Sequence, residues 1–223
     1  MNIELKPIGY IKTPFNDKFG IPRQSGMVDD IISYIELNKD FNITAFKGLE
    51  EFSHIWIIWG FSKNFGKKWT PTVRPPRLGG NKRMGVFATR SPNRPNPLGL
   101  SSIKLIDIIN HNGSIVLKVS GADMLNDTPI YDIKPYIAFT DSHTDADSGF
   151  AKEYTNYHLD VNIGEEAKSN IKEEHLTSVI KILSLDPRPA YQKDPTRIYG
   201  VSIYDYNIKF KVEKSTLFVV KVE

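Results

Sequence analysis

Cysteine is absent from this sequence of 223 residues. Its absence excludes disulfide bonds, thiolate zinc sites and cysteine nucleophiles, and it fits a protein that works in a reducing compartment. Long apolar runs are also missing, because the longest, Ile55 to Phe61, is far too short to span a bilayer. The first ten residues, MNIELKPIGY, lack the apolar stretch of a signal peptide. We therefore expect a soluble, cytoplasmic protein.

Several common catalytic and cofactor-binding motifs are missing as well. None of the five histidines has the spacing of an HExxH zinc motif, and we expect no metal site. His54, at the start of an apolar run, is better explained as a core histidine. The sequence also has no nucleophile-elbow serine, no Walker A loop and no GxGxxG fingerprint. A Rossmann-type cofactor site is therefore not expected.

Acidic residues are missing from one stretch, residues 63–94, which we call the basic segment. It contains nine Lys or Arg residues and no Asp or Glu. The rest of the chain has 20 basic and 26 acidic residues, so the overall charge of +3 conceals a polarised molecule. A concentration of positive charge of this kind attracts a phosphate backbone. A solvated loop is the alternative explanation.

Proline makes this region stiff rather than merely charged. Six prolines lie between residues 71 and 97, and each fixes φ near −65°. A stiff loop loses less entropy on binding. Arginine can also grip a phosphate or carboxylate with two hydrogen bonds, where lysine is a point charge. These properties favour a binding function over a solvated loop.

The length and composition predict one domain and a smaller second one. Hydrophobic residues make up 40% of the chain, enough for a buried core. Alternating or apolar runs predict strands over 3–11, 31–37, 54–61, 84–89, 101–109, 114–120 and 199–222, and helical spacing predicts a helix over 165–183. Asn112-Gly113 predicts a hairpin turn. The linker-like composition of 140–149 divides the chain into residues 1–140 and 141–223.

Three polar residues, Asp132, Lys134 and Tyr136, are spaced by two along a predicted strand. Side chains at this spacing point to the same face, and Ile133, Pro135 and Ile137 would then point to the core. The polar face can be solvated, or it can belong to a site, because the stretch 121–139 is predicted to be a loop followed by this strand.

Five stretches of the sequence resemble, in the same order, the TsaA-like (YaeB) family, which includes bacterial tRNA methyltransferases. They are PFNDKFGIPRQSG, GLEEFSHIWIIWGF, WTPTVRPPRLGGNKRMGVFATRSPNRPNPLGLS, NDTPIYDIKPY and DPRPAYQKDPTRIYGVSIYDYNIKFKV. The resemblance covers nearly the whole chain, and its long, unusual motifs make a chance match implausible.

The resemblance implies a mainly β fold. It consists of an N-terminal β-barrel over residues 1–140, which is not a Rossmann methyltransferase domain, and a small α+β domain over residues 141–223 that is a possible tRNA contact. It further implies a homodimer with S-adenosyl-L-methionine as methyl donor. The implied reaction is N6-methylation of N6-threonylcarbamoyladenosine at anticodon-loop position 37 of tRNA.

The donor contacts implied by the resemblance lie in several loops and at two single positions. The chain departs from the family at two places, since Ser62-Lys63 stands where His-Gln is frequent and Asn126-Asp127 where Asp-Gly is usual. The implied donor-binding residues are Gln24, Ser25, Gly26, Met27, Ser62, Lys63, Arg90, Leu100, Asn126, Asp127, Thr128 and Pro129.

The proposed chemistry requires alignment of sulfur, methyl carbon and acceptor nitrogen, together with loss of a proton from N6. Asp132 is the predicted proton acceptor or orienting group, with Lys134 and Tyr136 on the same face. Arg90, Arg94 or Arg188 would hold the threonyl carboxylate. The further residues predicted to contact substrate or tRNA are Lys67, Lys68, Arg74, Arg77, Lys82, Arg83 and Tyr191.

Two other functions are compatible with the residues. A non-catalytic RNA-binding barrel would use exposed aromatic residues such as Phe65 and Trp69 for base stacking. A methyltransferase acting on a different, smaller acceptor would use the same donor, but nine cations in one segment favour a polyanion.

Overall fold

The computed structural model describes residues 3–75, 78, 80–154, 157–188 and 194–223. Strands dominate the described part, and twelve are found there. They are β1 (Gly9–Lys12), β2 (Ile32–Leu37), β3 (His54–Gly60), β4 (Thr72–Val73), β5 (Met84–Gly85), β6 (Leu98–His111), β7 (Ser114–Ser120), β8 (Thr128–Pro135), β9 (Asp160–Ile163), β10 (Tyr199–Ile203), β11 (Tyr206–Glu213) and β12 (Thr216–Val222).

Three α-helices and several short 3₁₀ turns complete the described secondary structure. The helices are α1 (Ala138–Asp141), α2 (Glu165–Ser169) and α3 (Glu173–Ser184). The 3₁₀ turns lie at Ile43–Phe46, Leu49–Glu51, Ser62–Asn64, Val86–Ala88 and Gly149–Tyr154.

Six strands close into an antiparallel barrel in the order β1-β2-β7-β6-β3-β8. Alternation of side chains along each strand puts one face inside, where Ile35, Ile57 and Leu117 are fully buried. The other face of β3 carries Trp56 and Ile58, which are only half-buried. The predicted N-terminal β-barrel is confirmed.

The antiparallel order determines where the loops lie. Neighbouring strands alternate in direction around the barrel, so three connections leave from the same end. These connections are residues 13–31 between β1 and β2, 61–97 between β3 and β6, and 121–127 between β7 and β8. We call this the loop end. The 38–53 connection and the β6–β7 hairpin lie at the opposite end.

The Asn112-Gly113 hairpin follows the sequence prediction. Both residues have positive φ, 51° and 82°, as the tight turn between β6 and β7 requires. The predicted strand over 31–37 is also confirmed by β2.

His54, expected to be a core histidine, is exposed at the start of β3. Three predicted element bounds were also wrong. The first strand begins only at Gly9, two residues after Pro7, which has no backbone N–H to donate to a β-ladder. The strand predicted over 84–89 ends at Gly85, because Val86 turns inward in a 3₁₀ turn and is buried. The helix predicted over 165–183 breaks at 170–172, where Ile171 enters the core.

The C-terminal part forms a four-stranded sheet in the order β10-β11-β12-β9, in which only the β12–β9 pair is parallel. Helix α3 packs on it through Val179, Ile182 and Leu183. This arrangement is the small α+β unit that the resemblance implied.

The loop over 13–31 is built into the core of that C-terminal unit. Phe15, Val28 and Ile31 are buried in the same cluster as α3 and β10–β12. Gly20 lies against β10, where an added Cβ would be 2.9 Å from the carbonyl oxygen of Ser202. The C-terminal core therefore includes residues from before the barrel's second strand, and the division after residue 140 stays a prediction.

Candidate active site

The basic segment lies at the loop end and is largely exposed. Its exposed cations include five that are predicted to contact tRNA, Lys67, Lys68, Arg74, Lys82 and Arg83. Among the described residues, no carboxylate lies within 4.0 Å of any of these five. Their positive charge is therefore available to an external anion. Arg77, also predicted to contact tRNA, lies outside the described residues.

The segment is held by short local structure rather than by a long helix or strand. Strands β4 and β5 pair Thr72 with Gly85 and Val73 with Met84. The backbone N–H of Val86 donates to the carbonyl of Pro71 at 2.9 Å. These contacts tie the two halves of the segment together around exposed side chains.

The loop Gln24–Met27 lies against the end of β7. The backbone N–H of Gly26 donates to the carbonyl of Gly121 at 2.9 Å, and both glycines have positive φ. A Cβ added at Gly121 would lie 3.2 Å from the Cα and the nitrogen of Gly26. The close approach of two backbones therefore sets the position of this loop.

Arg90 joins the basic segment to this loop. Its Nη1 donates to Oε1 of Gln24, so two of the residues predicted to bind the donor are in direct contact. Arg90 is exposed. Its guanidinium is therefore held at the loop end by a neutral partner, and its charge is not cancelled.

Asp123 is a residue of this site that sequence reasoning missed. Its Oδ1 accepts a hydrogen bond of 2.7 Å from Oγ of Ser101, and that hydroxyl accepts one of 3.0 Å from Nε1 of Trp59. The backbone N–H of Ser25 lies close enough to the carboxylate to favour its ionised form. Burial raises the pKa of Asp123, although these hydrogen bonds and the charge of Arg90 act in the opposite direction. The sequence signal that could have revealed Asp123 is its position between two apolar residues, Ala122 and Met124, which are both buried in the structure.

The remaining predicted donor residues lie at the loop end but differ in exposure. Ser62 and Lys63 are exposed in the 3₁₀ turn after β3, and Leu100 is 58% exposed on the outside of β6. Thr128 and Pro129 are buried where β8 pairs with β1, so their side chains belong to the barrel wall. Any contact they make with a ligand at the loop end must come from backbone groups.

Asn126 and Asp127 form a turn that is fastened to β1. Oδ1 of Asn126 accepts from the backbone N–H of Thr13 at 3.1 Å, and Asp127 forms an ion pair with Lys12. Asp127 has a φ of 59°, in the left-handed region that favours glycine. This conformation gives a physical reason for the glycine that the family usually has at this position.

Strand β8 begins at the loop end and leads to the opposite end of the barrel. Asp132, Lys134 and Tyr136 therefore lie at increasing distances from the loop end. Asp132 pairs with Ile58 of β3, which in turn pairs with Leu100 of β6. Asp132 therefore lies two strands from Leu100, an implied donor contact, with β3 between them. Its Oδ2 is 2.9 Å from Nζ of Lys134, and both side chains are about half exposed. The same-face prediction is confirmed for this pair.

Tyr136 lies beyond the end of β8, at the far end of the barrel. Its backbone N–H donates to the carbonyl of His54, the first residue of β3, at 3.0 Å. Its ring is 5.5 Å from that of Trp56. Since a strand rises about 3.4 Å per residue, His54 is roughly 14 Å along β3 from Ile58. The structure therefore does not bring Tyr136 to the loop end. Ile137, predicted to point to the core, is 38% exposed.

The two other predicted arginines differ in how they are engaged. Nη1 of Arg94 donates to the carbonyl of Thr89 at 3.3 Å, and its side chain keeps other donors for a ligand. Arg188 donates from two nitrogens to both carboxylate oxygens of Asp186, at 2.7 and 2.8 Å. These two side chains are only 10% and 12% exposed. Tyr191 lies outside the described residues.

The Asp186–Arg188 pair links the C-terminal unit to the loop that carries Gln24. Tyr157 donates to Asp186 at 2.8 Å, and Arg23 donates to the Asp186 carbonyl at 3.1 Å. Burial by itself would raise the pKa of Asp186, but the hydrogen bonds from Arg188 and Tyr157 together lower it. Arg188 is thus part of the support of the loop rather than an exposed cation.

Within the described ranges, no group of three potential metal-ligating side chains comes together. No helix in the same part of the chain is long and apolar enough to cross a membrane.

These features define a class of protein. It is a closed antiparallel barrel with three loops at one end, where a carboxylate and an arginine lie beside a surface of unpaired cations. The N-terminal domain model of tRNA-methyltransferase O matches residues 10–142, and the TrmO C-terminal domain model matches residues 156–223. The chain belongs to the tRNA-methyltransferase O family.

Individual relatives agree with this membership. A tRNA (adenine(37)-N6)-methyltransferase of Escherichia coli K12 is 38% identical over 231 residues, covering 100% of this chain and 98% of the relative. A Pseudomonas aeruginosa protein named "Putative S-adenosylmethionine-dependent methyltransferase RcsF" is 37% identical over 229 residues, covering 99% and 97%. The crystal structure of TrmO from Pseudomonas aeruginosa superposes with a TM-score of 0.81 at 30% identity, over 100% of both chains.

Proposed function

We propose that this protein transfers a methyl group from S-adenosyl-L-methionine to N6 of N6-threonylcarbamoyladenosine at position 37 of tRNA. The observation that carries the proposal is the contact between Arg90 and Gln24 at the loop end. It joins the exposed basic segment, suited to RNA, to the loop implied to hold the donor. Donor and anionic acceptor would therefore meet at one place.

The residues at the loop end fit the donor's chemistry. The donor carries charges of both signs and a flat apolar base, and the loop end offers the carboxylate of Asp123, the guanidinium of Arg90 and the exposed side chain of Leu100. The bound donor supplies an electrophilic methyl group. The protein's part is to hold the acceptor nitrogen in line with it, which lowers the entropic part of the barrier.

Asp132 is our candidate for the group that accepts or orients the N6 proton, with Lys134 holding its carboxylate. Position 37 lies in a loop, so its base can be splayed out to reach this face without melting a duplex. Tyr136 stays in the proposal only as a contact for a substrate that extends along the outside of β8, because it lies at the far end.

The Asp132 assignment is tested with Asp132→Asn, which removes the basic oxygen but keeps the shape. We expect turnover to fall roughly 100-fold, the range of a lost general base. The matched control is Asp205→Asn, a change at an exposed Asp in the C-terminal unit. Unchanged turnover in a folded Asp132→Asn protein would remove Asp132 from the mechanism.

The anionic groups of the substrate require cations. Arg94 is the candidate for the threonyl carboxylate, since Arg188 is already engaged by Asp186. The exposed cations of the basic segment would contact tRNA phosphates, together with Arg77 and Tyr191. Phe65 and Trp69, both more than 40% exposed, are suited to stack on unpaired bases.

The direct test of the function uses donor labelled in its methyl group and tRNA with or without the threonylcarbamoyl modification. After digestion to nucleosides, we expect label only in N6-methyl-N6-threonylcarbamoyladenosine. Label in another nucleoside or in a small molecule would support a different methyl transfer. Donor-independent tRNA binding without any label would support a non-catalytic RNA-binding barrel.

We also propose that the protein acts in the cytoplasm as a homodimer. The absence of cysteine and a tRNA substrate support the compartment. Phe139, 89% exposed beside half-exposed Ile137, supplies an apolar surface for a second copy. Light scattering after size exclusion measures the mass, and a mass near the 25.3 kDa of one chain would contradict the dimer.

A further inference from the structure

We propose that Asp123 and Arg90 together bind the amino-acid end of the donor, Asp123 its ammonium group and Arg90 its carboxylate. This inference rests on the proposed function, because it takes the loop end as the donor site. It adds to that function a residue that neither the motifs nor the resemblance assigned.

Side chains of the barrel interior hold the carboxylate of Asp123 in a fixed direction. Ser101 donates to Oδ1 and is itself held by Trp59, and both of these side chains are buried in the barrel interior. The backbone N–H of Ser25 lies near the carboxylate on the side of the loop and favours its ionised form. Ionised carboxylates have about four acceptor positions, so these contacts leave acceptor capacity for a ligand.

Asp123 also lacks the cationic partner that the neighbouring acids have. Asp127 pairs with Lys12, and Asp132 pairs with Lys134. In the parts of the chain that the structure describes, no Lys, Arg or His nitrogen lies within 4.0 Å of the Asp123 carboxylate. Arg90 acts on Asp123 only from a greater distance. A partly buried carboxylate without a cation in direct contact is costly, and a ligand ammonium group would offset that cost.

Arg90 provides the complementary half of the site. Its side chain is exposed, and its bonding partner Gln24 is neutral, so its charge is free to attract an anion. Gln24 and Ser25 are consecutive. Gln24 accepts a hydrogen bond from Arg90, and the backbone N–H of Ser25 lies near the Asp123 carboxylate. The two charged groups therefore lie beside adjacent residues of one loop. Adjacent acidic and basic groups match the adjacent ammonium and carboxylate of an α-amino acid.

The competing explanation is that Asp123 is only a support for the Gln24–Met27 loop, through its interaction with the backbone N–H of Ser25. A third explanation is that it faces the positively charged sulfur. The three can be separated with three ligands. S-adenosylmethionine has both the amino-acid end and the charged sulfur, S-adenosylhomocysteine has the amino-acid end only, and 5′-methylthioadenosine has neither.

The experiment measures the binding of each ligand by calorimetry to the wild-type chain and to Asp123→Asn, without tRNA. We expect the variant to bind the two amino-acid ligands roughly 10- to 100-fold more weakly, as for a lost hydrogen bond between charged groups. Binding of 5′-methylthioadenosine should change less than about twofold, since it lacks the group that Asp123 contacts. Asp17→Asn, an exposed acid of the 13–31 loop, is the control and should leave all three unchanged.

Each other pattern overturns the inference. Equal weakening of all three ligands would identify a structural support, and weakening of S-adenosylmethionine alone would identify a partner of the sulfur. No change, or a wild-type chain that binds none of them, would remove Asp123 from donor binding. Thermal unfolding shows whether the variant is folded, and Ser101→Ala serves as a second variant that loosens the same carboxylate. Because tRNA is absent, a wrong nucleoside assignment would leave this result intact.

Discussion

Asp127 shows at the scale of one residue how a site tolerates a departure from its family. The turn before β8 needs a φ of 59°, which costs a residue with a Cβ about 1–2 kcal/mol. Aspartate tolerates this region better than most residues, and the ion pair with Lys12 holds it there.

Two substitutions at this position test that explanation. We expect the free energy of unfolding of Asp127→Gly to lie within about 1 kcal/mol of the wild-type value, because relief of the backbone strain compensates for the lost side chain. Asp127→Ala should be about 1–2 kcal/mol less stable than Asp127→Gly, since it keeps the strain. Urea unfolding measures both. Equal stabilities of the two variants would mean that the left-handed backbone is not what selects the residue.

Arg188 gives a second test at the residue scale. In Arg188→Met the buried carboxylate of Asp186 loses its charged partner, so we expect a loss of about 3 kcal/mol of stability. Lys181→Met is the control. The ion pairs of Lys181 with Asp29 and Asp30 are exposed, so this variant should lose clearly less stability than Arg188→Met.

The pH dependence of the same pair has a definite sign. The pKa of Asp186 is lowered in the folded protein, so its ionised form contributes stability above its unfolded pKa. That contribution is lost as the pH falls through the lowered pKa. Melting temperatures between pH 3 and 7 should therefore fall more steeply on the acid side in wild type than in Arg188→Met. Parallel curves would show that this pair does not supply the pH dependence.

The elements of the fold differ in how well the sequence predicts them. The β6–β7 hairpin was predictable because Asn112-Gly113 contains the local chemistry of the turn. The break between α2 and α3 was not, because the spacing of apolar residues continues through 170–172 while Ile171 is taken into the core. Local sequence signals therefore predicted an element only where local chemistry, rather than packing against distant residues, determines it.

The same distinction applies to the candidate site. The Gln24–Met27 loop and Arg90 came from the resemblance, and the structure brings them into contact. Asp123 was missed because its role depends on Ser101 and Ser25, which are distant in sequence. Residues of one predicted strand were grouped by their common face, but a shared face does not reveal that Tyr136 lies at the far end of the barrel.

Gly121 allows a prediction about the contact between two elements. In Gly121→Ala the new Cβ would press on Gly26 at 3.2 Å, so the Gln24–Met27 loop must shift. We expect the donor KM to rise severalfold. Gly113→Ala is a matched control, because it has nearly the same φ, 82° against 80°, but no atom within 4 Å of the new Cβ.

Both glycine variants should lose about 1–2 kcal/mol of unfolding free energy, since alanine is strained at positive φ. Only Gly121→Ala should change the donor KM. A similar rise in KM for both variants would mean that general destabilisation, rather than the backbone contact, controls donor binding.

At the scale of the whole molecule, the packing of the 13–31 loop was the feature least visible in the sequence. Phe15, Val28 and Ile31 are separated by glycine, proline and polar residues, so they show neither helical nor strand periodicity. In the structure they complete the core of the C-terminal unit. That unit therefore supports the Gln24–Met27 loop, both through this core and through the bond from Arg23 to Asp186.

The distribution of charge over the whole molecule leads to the prediction for tRNA binding. The exposed cations of the basic segment have no acidic partner among the described residues, while the rest of the chain is net negative. Each phosphate that a single-stranded nucleic acid brings to a cation contributes about 0.7 to the slope of log affinity against log salt. Five such contacts would give a slope of about −3.5.

Replacing Lys67 and Lys68 together by glutamine should make this slope shallower by about 1.4, because two contacts are lost. The control pair is Lys39→Gln with Lys47→Gln, which makes the same change in net charge in the connection at the opposite end of the barrel. Filter binding of tRNA over a salt series measures both. A flat response of the wild type would exclude phosphate contacts, and an equal change in the control pair would mean that net charge, rather than the loop end, attracts the RNA.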